Sequence, residues 1–160
     1  MYNIINYLIQ FLHNKMFTFL AKTNQTANKV GFEDVKFATE NPRKYILINT
    51  LPSNEQDILI KTSIAPDTEE DVINAQLSDY NTPDLPIIIY GKNTNDPSVE
   101  TKYKQLCRLG FKDVYMYPGG LFEWLLLQDI YGEEEFPTKN NSLIKQIPDI
   151  LRYKPPRVLR

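Results

Sequence analysis

The hydrophobic positions of this chain fall into two regimes: one helical stripe at the start, then short apolar runs alternating with helix-like segments. In residues 2–20, YNIINYLIQFLHNKMFTFL, the side chains of Ile4, Ile5, Leu8, Ile9, Leu12, Met16, Phe19 and Leu20 recur at helical spacing. Asn3, Asn6, Gln10, His13, Asn14 and Phe17 fall between them, so the opposite stripe is polar until its last turn. This pattern predicts an amphipathic helix over residues 1–22. No apolar run in it exceeds three residues, far short of the ~18 that a spanning helix needs. A secretory signal would want a basic start and an unbroken apolar core, and this segment has neither. Three surfaces suit such a helix: its own domain, a second copy of the chain, or, as a minor reading, a membrane surface. Only Lys15 supplies the basic group the last would favour. Residues 21–29, AKTNQTANK, are small and polar and read as a linker.

Beyond the linker the pattern becomes regular. Residues 32–40 form a short helix candidate closed by Asn41-Pro42, because the residue before a proline avoids the α region. Tyr45 to Leu51 is an apolar, β-rich run ended by Pro52, and Ile58 to Ile60 is a shorter one. Asp67 is placed to cap a helix reaching about Leu77, with Glu69, Glu70 and Asp71 in the first turn, where the helix dipole favours acids. Pro86 to Tyr90 reads as a buried strand, and the loop Gly91, Lys92, Asn93, Thr94, Asn95 follows. Asp96 as N-cap and Pro97 at the first helical position open a helix to about Leu109, which Gly110 ends. Val114 to Tyr117 is the next strand, and Gly119-Gly120 starts a helix reaching Ile130. Strands separated by helices predict βαβ units, hence an α/β domain over residues 23–131 with a largely parallel sheet covered on both faces. Residues 132–160 differ. An acidic turn, Glu133 to Glu135, precedes a segment punctuated by Pro137, Pro148, Pro155 and Pro156 and made basic by Lys145, Arg152, Lys154, Arg157 and Arg160. It reads as a strap laid over the domain, with Leu143, Ile144, Ile147, Ile150 and Leu151 to bury.

Composition narrows the function classes. The 160 residues are 42% hydrophobic and 24% charged, ordinary for a globular domain. With 18 Lys+Arg against 20 Asp+Glu, the net charge of −2 excludes a broad cationic surface for nucleic acid. One cysteine and one histidine exclude a Cys/His zinc cluster and an internal disulfide framework, and suit a reducing, cytoplasmic setting.

The ordered series PIIIY, a tight loop, a helix ending in Leu109-Gly110-Phe111, the strand DVYMY and Gly119-Gly120-x-x-x-Trp124 resembles the second half of a rhodanese-like domain. The resemblance covers roughly residues 30–131. The wording GLFEWLLLQDIYG with Phe136-Pro137-Thr138 after it is similar to rhodanese-like proteins carried by large DNA viruses of protists and algae. The 14 Asn, 16 Ile and 13 Lys against 5 Arg agree with an AT-rich genome. The resemblance implies a loop after the central strand whose first residue is a catalytic cysteine. The loop N–H groups and the following helix N-terminus would stabilise its thiolate and persulfide. Here that position is Gly91, which offers no nucleophile. Asn49 and Leu51 stand where the family usually has an acidic residue and an arginine, and Leu59 where it often has histidine.

Nothing else in the chain replaces the missing thiol. Cys107 lies ten residues past Pro97 on the helix after the loop, about 15 Å away at the helical rise. It shares a face with Val99, Tyr103 and Leu106, the stripe of a buried, inert cysteine. His13 falls on the polar stripe of the first segment and has no Ser or Cys partner within the domain. Asp129 near the end of its helix is expected to cap or to pair with an arginine of the tail. No Gly-rich phosphate loop occurs, and no metal or cofactor is implied. The residues Gly91, Lys92, Asn93, Thr94, Asn95 and Asp96 remain as an anion- or partner-binding loop, since ligand sites in open α/β sheets lie at the carboxyl ends of the strands. The expected function is a catalytically inactive rhodanese-like module that binds another protein or a second copy of itself, as inactive versions of this fold do as docking domains in some phosphatases. In a virus it would be a virion or host-cytoplasm component. The competing reading is a sulfurtransferase, or another small-anion enzyme, using the same loop.

Overall fold

The computed structural model describes residues 28–78 and 85–140. The helix predicted over residues 1–22 and the tail beyond residue 140 lie outside the described residues. Helix α1 (Phe32–Glu40) follows Gly31 and stops at Asn41 before Pro42, as the proline rule requires. Strand β1 (Ile46–Asn49) occupies the centre of the first apolar run, and β2 (Ile58–Ile60) the second. Helix α2 (Glu69–Ser78) begins two residues after the expected cap Asp67. The intervening residues form a turn instead, in which the N–H and hydroxyl of Thr68 both donate to Ala65 O, and Thr68 O then receives the first helical bond from Val72 N. Strand β3 (Ile87–Tyr90), helix α3 (Pro97–Leu109), β4 (Val114–Tyr117) and α4 (Gly120–Tyr131) follow the sequence reading to within a residue.

The central sheet is parallel, in the order β1-β3-β4, with Ile46 opposite Ile87 and Ile87 opposite Val114. Residues 28–30 extend it along the free edge of β4, where Met116 N donates to Asn28 O and Val30 N to Met116 O. Side chains alternate across this sheet, so each strand feeds two cores. On one face Leu47, Ile88, Tyr90 and Tyr117 pack under α1 and α4, through Val35, Ala38, Leu121, Trp124 and Leu125. On the other, Ile46, Ile48, Ile87, Ile89, Val114 and Met116 pack under α2 and α3, through Ile73, Val99 and Leu106. Burial on both faces is why the strands read as continuous apolar runs rather than alternating ones.

The strand β2 departs from the parallel pattern. It leaves the central sheet and pairs antiparallel with β5 (Thr138–Asn140), a segment with no apolar run of its own. The start of the C-terminal strap therefore lies against the domain. Phe136 is buried there, its ring 5.0 Å from that of Trp124 and 5.9 Å from that of Phe32. Trp124 Nε1 donates to Pro137 O and Gln128 Nε2 to Phe136 O, which fixes the strap on α4. The acidic turn Glu133–Glu135 is exposed, with Glu135 paired to Lys36.

Candidate functional site

The carboxyl ends of β1 and β3 and the N-terminus of α3 meet around the loop Gly91–Asp96. Thr50, which directly follows β1, donates its N–H to Tyr90 O at 3.0 Å and so ties the two strand ends together. The loop then closes on a single carboxylate. Asp96 Oδ2 accepts the N–H of Lys92 at 2.8 Å, while Asp96 Oδ1 accepts the N–H of Ser98 at 3.0 Å and the Ser98 hydroxyl at 2.6 Å. Ser98 Oγ also lies 2.7 Å from Thr50 Oγ1, joining the cap of α3 to β1. Asp96 is thus the N-cap the sequence predicts, and it reaches further, back across the loop. Burial of this carboxylate works to raise its pKa. The hydrogen bonds from Lys92 N–H and Ser98, with the Lys92 charge, outweigh that and hold it below the ordinary carboxylate range.

Two glycines make this closure fit. A Cβ on Gly91 would stand 2.4 Å from Asp96 Oδ2 and 2.7 Å from Val99 Cγ2, so the carboxylate occupies the space a side chain here would enter. Gly120, at φ +62°, opens α4 directly under the loop; a Cβ there would meet Gly91 O at 2.6 Å. The α4 N-terminus is bound to the same loop, with Leu121 N donating to Gly91 O and Phe122 N to Lys92 O. Gly120, the second of the Gly-Gly pair before Trp124, is thus the point of close approach of two backbones.

The six loop residues are held together, but in unequal roles. Gly91 is buried, and Lys92 and Asp96 are half-buried within the hydrogen-bonded loop. Asn93 turns its side chain to the N–H of Asn95 and its carbonyl to the N–H of Asp96. Thr94 and Asn95 are exposed at the tip. Lys92 Nζ is paired with Glu55 Oε2 at 2.7 Å, on the short 3₁₀ turn (Ser53–Glu55) after β1. Sequence reasoning missed Glu55, Thr50 and Ser98. Only Thr50 carried a local signal, as the residue directly after a buried strand, where open α/β sheets build sites.

The positions where the resemblance implies charged groups are closed. Asn49 is buried, its Oδ1 accepting the Leu51 N–H, and Leu51 and Leu59 are core residues. Behind the loop, Tyr90 is fully buried, its hydroxyl accepting the Ile60 N–H at 3.2 Å and lying 2.7 Å from Ser63 Oγ. Burial pushes the Tyr90 pKa well up. Tyr117, at the end of β4, is buried with no well-formed hydrogen bond to its hydroxyl; burial first, then the adjoining Glu123 carboxylate, push its pKa up as well. Cys107, expected to be buried, is only half-buried on α3, since it sits at the margin of the stripe and packs against the core cluster of Val99 and Leu106 from outside, with Tyr103 beside it. Burial, and after it Cys107, push the Tyr103 pKa up. Asp129 is exposed, and the tail arginines expected to meet it are outside the described residues. Among the described residues no group of three or more His, Cys, Asp or Glu is placed to hold a metal ion. No helix among them is long and apolar enough to cross a membrane.

Comparison with known proteins places this geometry. A family model described as the rhodanese-like domain matches residues 46–127. No curated protein sequence matches the chain. Among solved structures, a protein from Lactobacillus plantarum is 18% identical with a TM-score of 0.53, covering 82% of this chain and 98% of its own. A protein from Bacillus halodurans is 15% identical with a TM-score of 0.53, covering 85% and 96%. A single-domain sulfurtransferase of Saccharomyces cerevisiae is 19% identical with a TM-score of 0.47, covering 68% and 97%. At these identities the likeness to the first two speaks to the fold alone.

Proposed function

The chain belongs to the rhodanese-like domain family, and from that premise we propose that it is a protein-binding module without sulfur-transfer chemistry of its own. The observation that carries this reading is the loop itself. Its first residue is Gly91, and the Asp96 carboxylate fills the space a side chain at Gly91 would enter while taking the N–H groups of Lys92 and Ser98. A carboxylate held there repels both a thiolate and an incoming anion, the reverse of what persulfide chemistry needs. Cys107, the chain's single cysteine, supports the same reading from the far end of α3, half-buried against the core.

Binding then falls to the rim of the loop, where Thr94 and Asn95 are exposed on a tip braced by Asn93 and by the Lys92–Glu55 pair. The partner is another protein or a second copy of the chain. The likeness of residues 120–138 to rhodanese-like proteins of large DNA viruses supports a structural role in a virion or in the host-cell cytoplasm.

The test has two arms. Thiosulfate-to-cyanide sulfur transfer is measured on the full chain and on Cys107→Ser, with both expected at the uncatalysed rate; turnover lost in Cys107→Ser overturns the reading. Affinity capture from the native source compares the full chain with Thr94→Arg/Asn95→Glu. A stoichiometric partner lost by the loop variant is expected, and identical captures refute the loop rim as the binding surface.

A further inference from the structure

Helix α4 carries apolar side chains on two faces. Leu121, Trp124 and Leu125 face the sheet and are buried. Phe122, Leu126 and Ile130, at i, i+4 and i+8, form a second ridge pointing away from it; Phe122 is half-buried, while Leu126 is 41% and Ile130 69% exposed. A helix with apolar side chains on two faces belongs between two layers; the sheet and Phe136 of the strap cover the first face of α4, and the ridge is left exposed on the second.

The surroundings of this ridge say what the second layer is. Residues 120–136 carry Glu123, Asp129, Glu133, Glu134 and Glu135 and no Lys or Arg. Residues 1–27 carry Lys15 and Lys22 and no Asp or Glu. The described chain begins at Asn28, bound to the edge of β4, and β4 runs through Pro118 and Gly119 directly into α4. The seven residues 21–27 reach up to about 25 Å when extended, more than the ~18 Å length of a 12-residue helix such as α4. The helical stripe read from the sequence includes Leu8, Leu12 and Met16, the same i, i+4, i+8 spacing as the exposed ridge, which suits ridge-into-groove packing of two helices.

We propose that residues 4–20 cover the outer ridge of α4 within the same chain, Leu8, Leu12 and Met16 meeting Phe122, Leu126 and Ile130, with Lys22 of the linker over the acidic end of the helix. The proposal is independent of what the Gly91 loop binds. The tail beyond residue 140 is also basic, but Pro148, Pro155 and Pro156 interrupt the helical ridge such packing needs.

The experiment uses the full chain carrying Cys107→Ser and Leu126→Cys, and reads the rate at which a water-soluble disulfide reagent modifies position 126. Adding Leu8→Asp/Leu12→Asp is expected to speed modification at least tenfold, at every protein concentration. An unchanged rate overturns the proposal. So does acceleration by Leu143→Asp/Ile147→Asp instead, which would assign the ridge to the tail. Protection that disappears on dilution would assign it to a second copy, and equally overturns it. Because the aspartate variants report only if folded, a second measurement uses Leu12→Cys/Leu126→Cys in the same background. Mild oxidation is expected to give an internally cross-linked monomer; a cross-linked dimer, or no cross-link, refutes the arrangement.

Discussion

Replacing Gly91 by alanine inserts one methyl group into space already held by a carboxylate. The new Cβ would stand 2.4 Å from Asp96 Oδ2, 2.8 Å from Asp96 Cγ and 2.7 Å from Val99 Cγ2, all well inside contact distance. Something has to move, and both routes are costly. Keeping Asp96 in place overpacks the loop, at about 1–3 kcal/mol. Displacing it breaks at least one of its hydrogen bonds from Lys92 N–H or Ser98, and bonds to a charged group contribute about 1.5–3 kcal/mol each. We expect Gly91→Ala to destabilise the fold by about 2–3 kcal/mol, read as a lower urea midpoint with unchanged slope and a melting temperature reduced by roughly 5–10 °C. The cause is isolated by a double-mutant cycle. In an Asp96→Ala background the two carboxylate contacts are gone and the Val99 contact stays, so Gly91→Ala should cost at least about 1 kcal/mol less than in the natural chain. A Gly91→Ala variant within ~0.5 kcal/mol of the parent, or strict additivity with Asp96→Ala, would refute the reasoning. The same geometry predicts that Gly91→Cys alone acquires no sulfur transfer, because its thiol would lie against a carboxylate that opposes ionisation.

Three further outcomes follow from the packing and electrostatics. Phe136→Ala removes a ring packed on Phe32 and Trp124 and should cost about 3–5 kcal/mol in urea unfolding; a loss under ~1 kcal/mol would detach residues 132–140 from the cooperative unit. Tyr90→Phe leaves the buried Ile60 N–H without its acceptor, and should cost about 1–3 kcal/mol although the variant is apolar and nearly isosteric. Asp96 has its carboxyl pKa lowered in the folded chain, so its contribution is complete above the unfolded-state value of about 3.9 and is lost as pH falls through the folded value. Stability curves from pH 6 downward should therefore show a loss below about pH 4 that Asp96→Asn lacks; identical curves for the two chains would contradict it.

Much of this architecture follows from local pattern. The runs Ile46–Asn49, Ile87–Tyr90 and Val114–Tyr117 are short, β-rich and apolar on both faces, the pattern of strands in a doubly covered sheet. Asp96-Pro97 and Gly110 bracket α3 because capping and helix termination depend on a few neighbouring residues. The absence of a thiol at Gly91 is likewise a fact of the sequence alone. What local pattern could not decide is where distant segments meet. Thr138–Asn140 is a strand only because β2 offers it an edge, and Phe136 is a core residue only because Trp124 and Phe32 leave room for its ring. In the sequence Asp96 is a helix cap four residues from Lys92; the path of the loop between them turns it into the group that fills the space beside Gly91. That outcome depends on how the loop folds back between the end of β3 and the start of α3, information that residue spacing does not hold and the tertiary structure does.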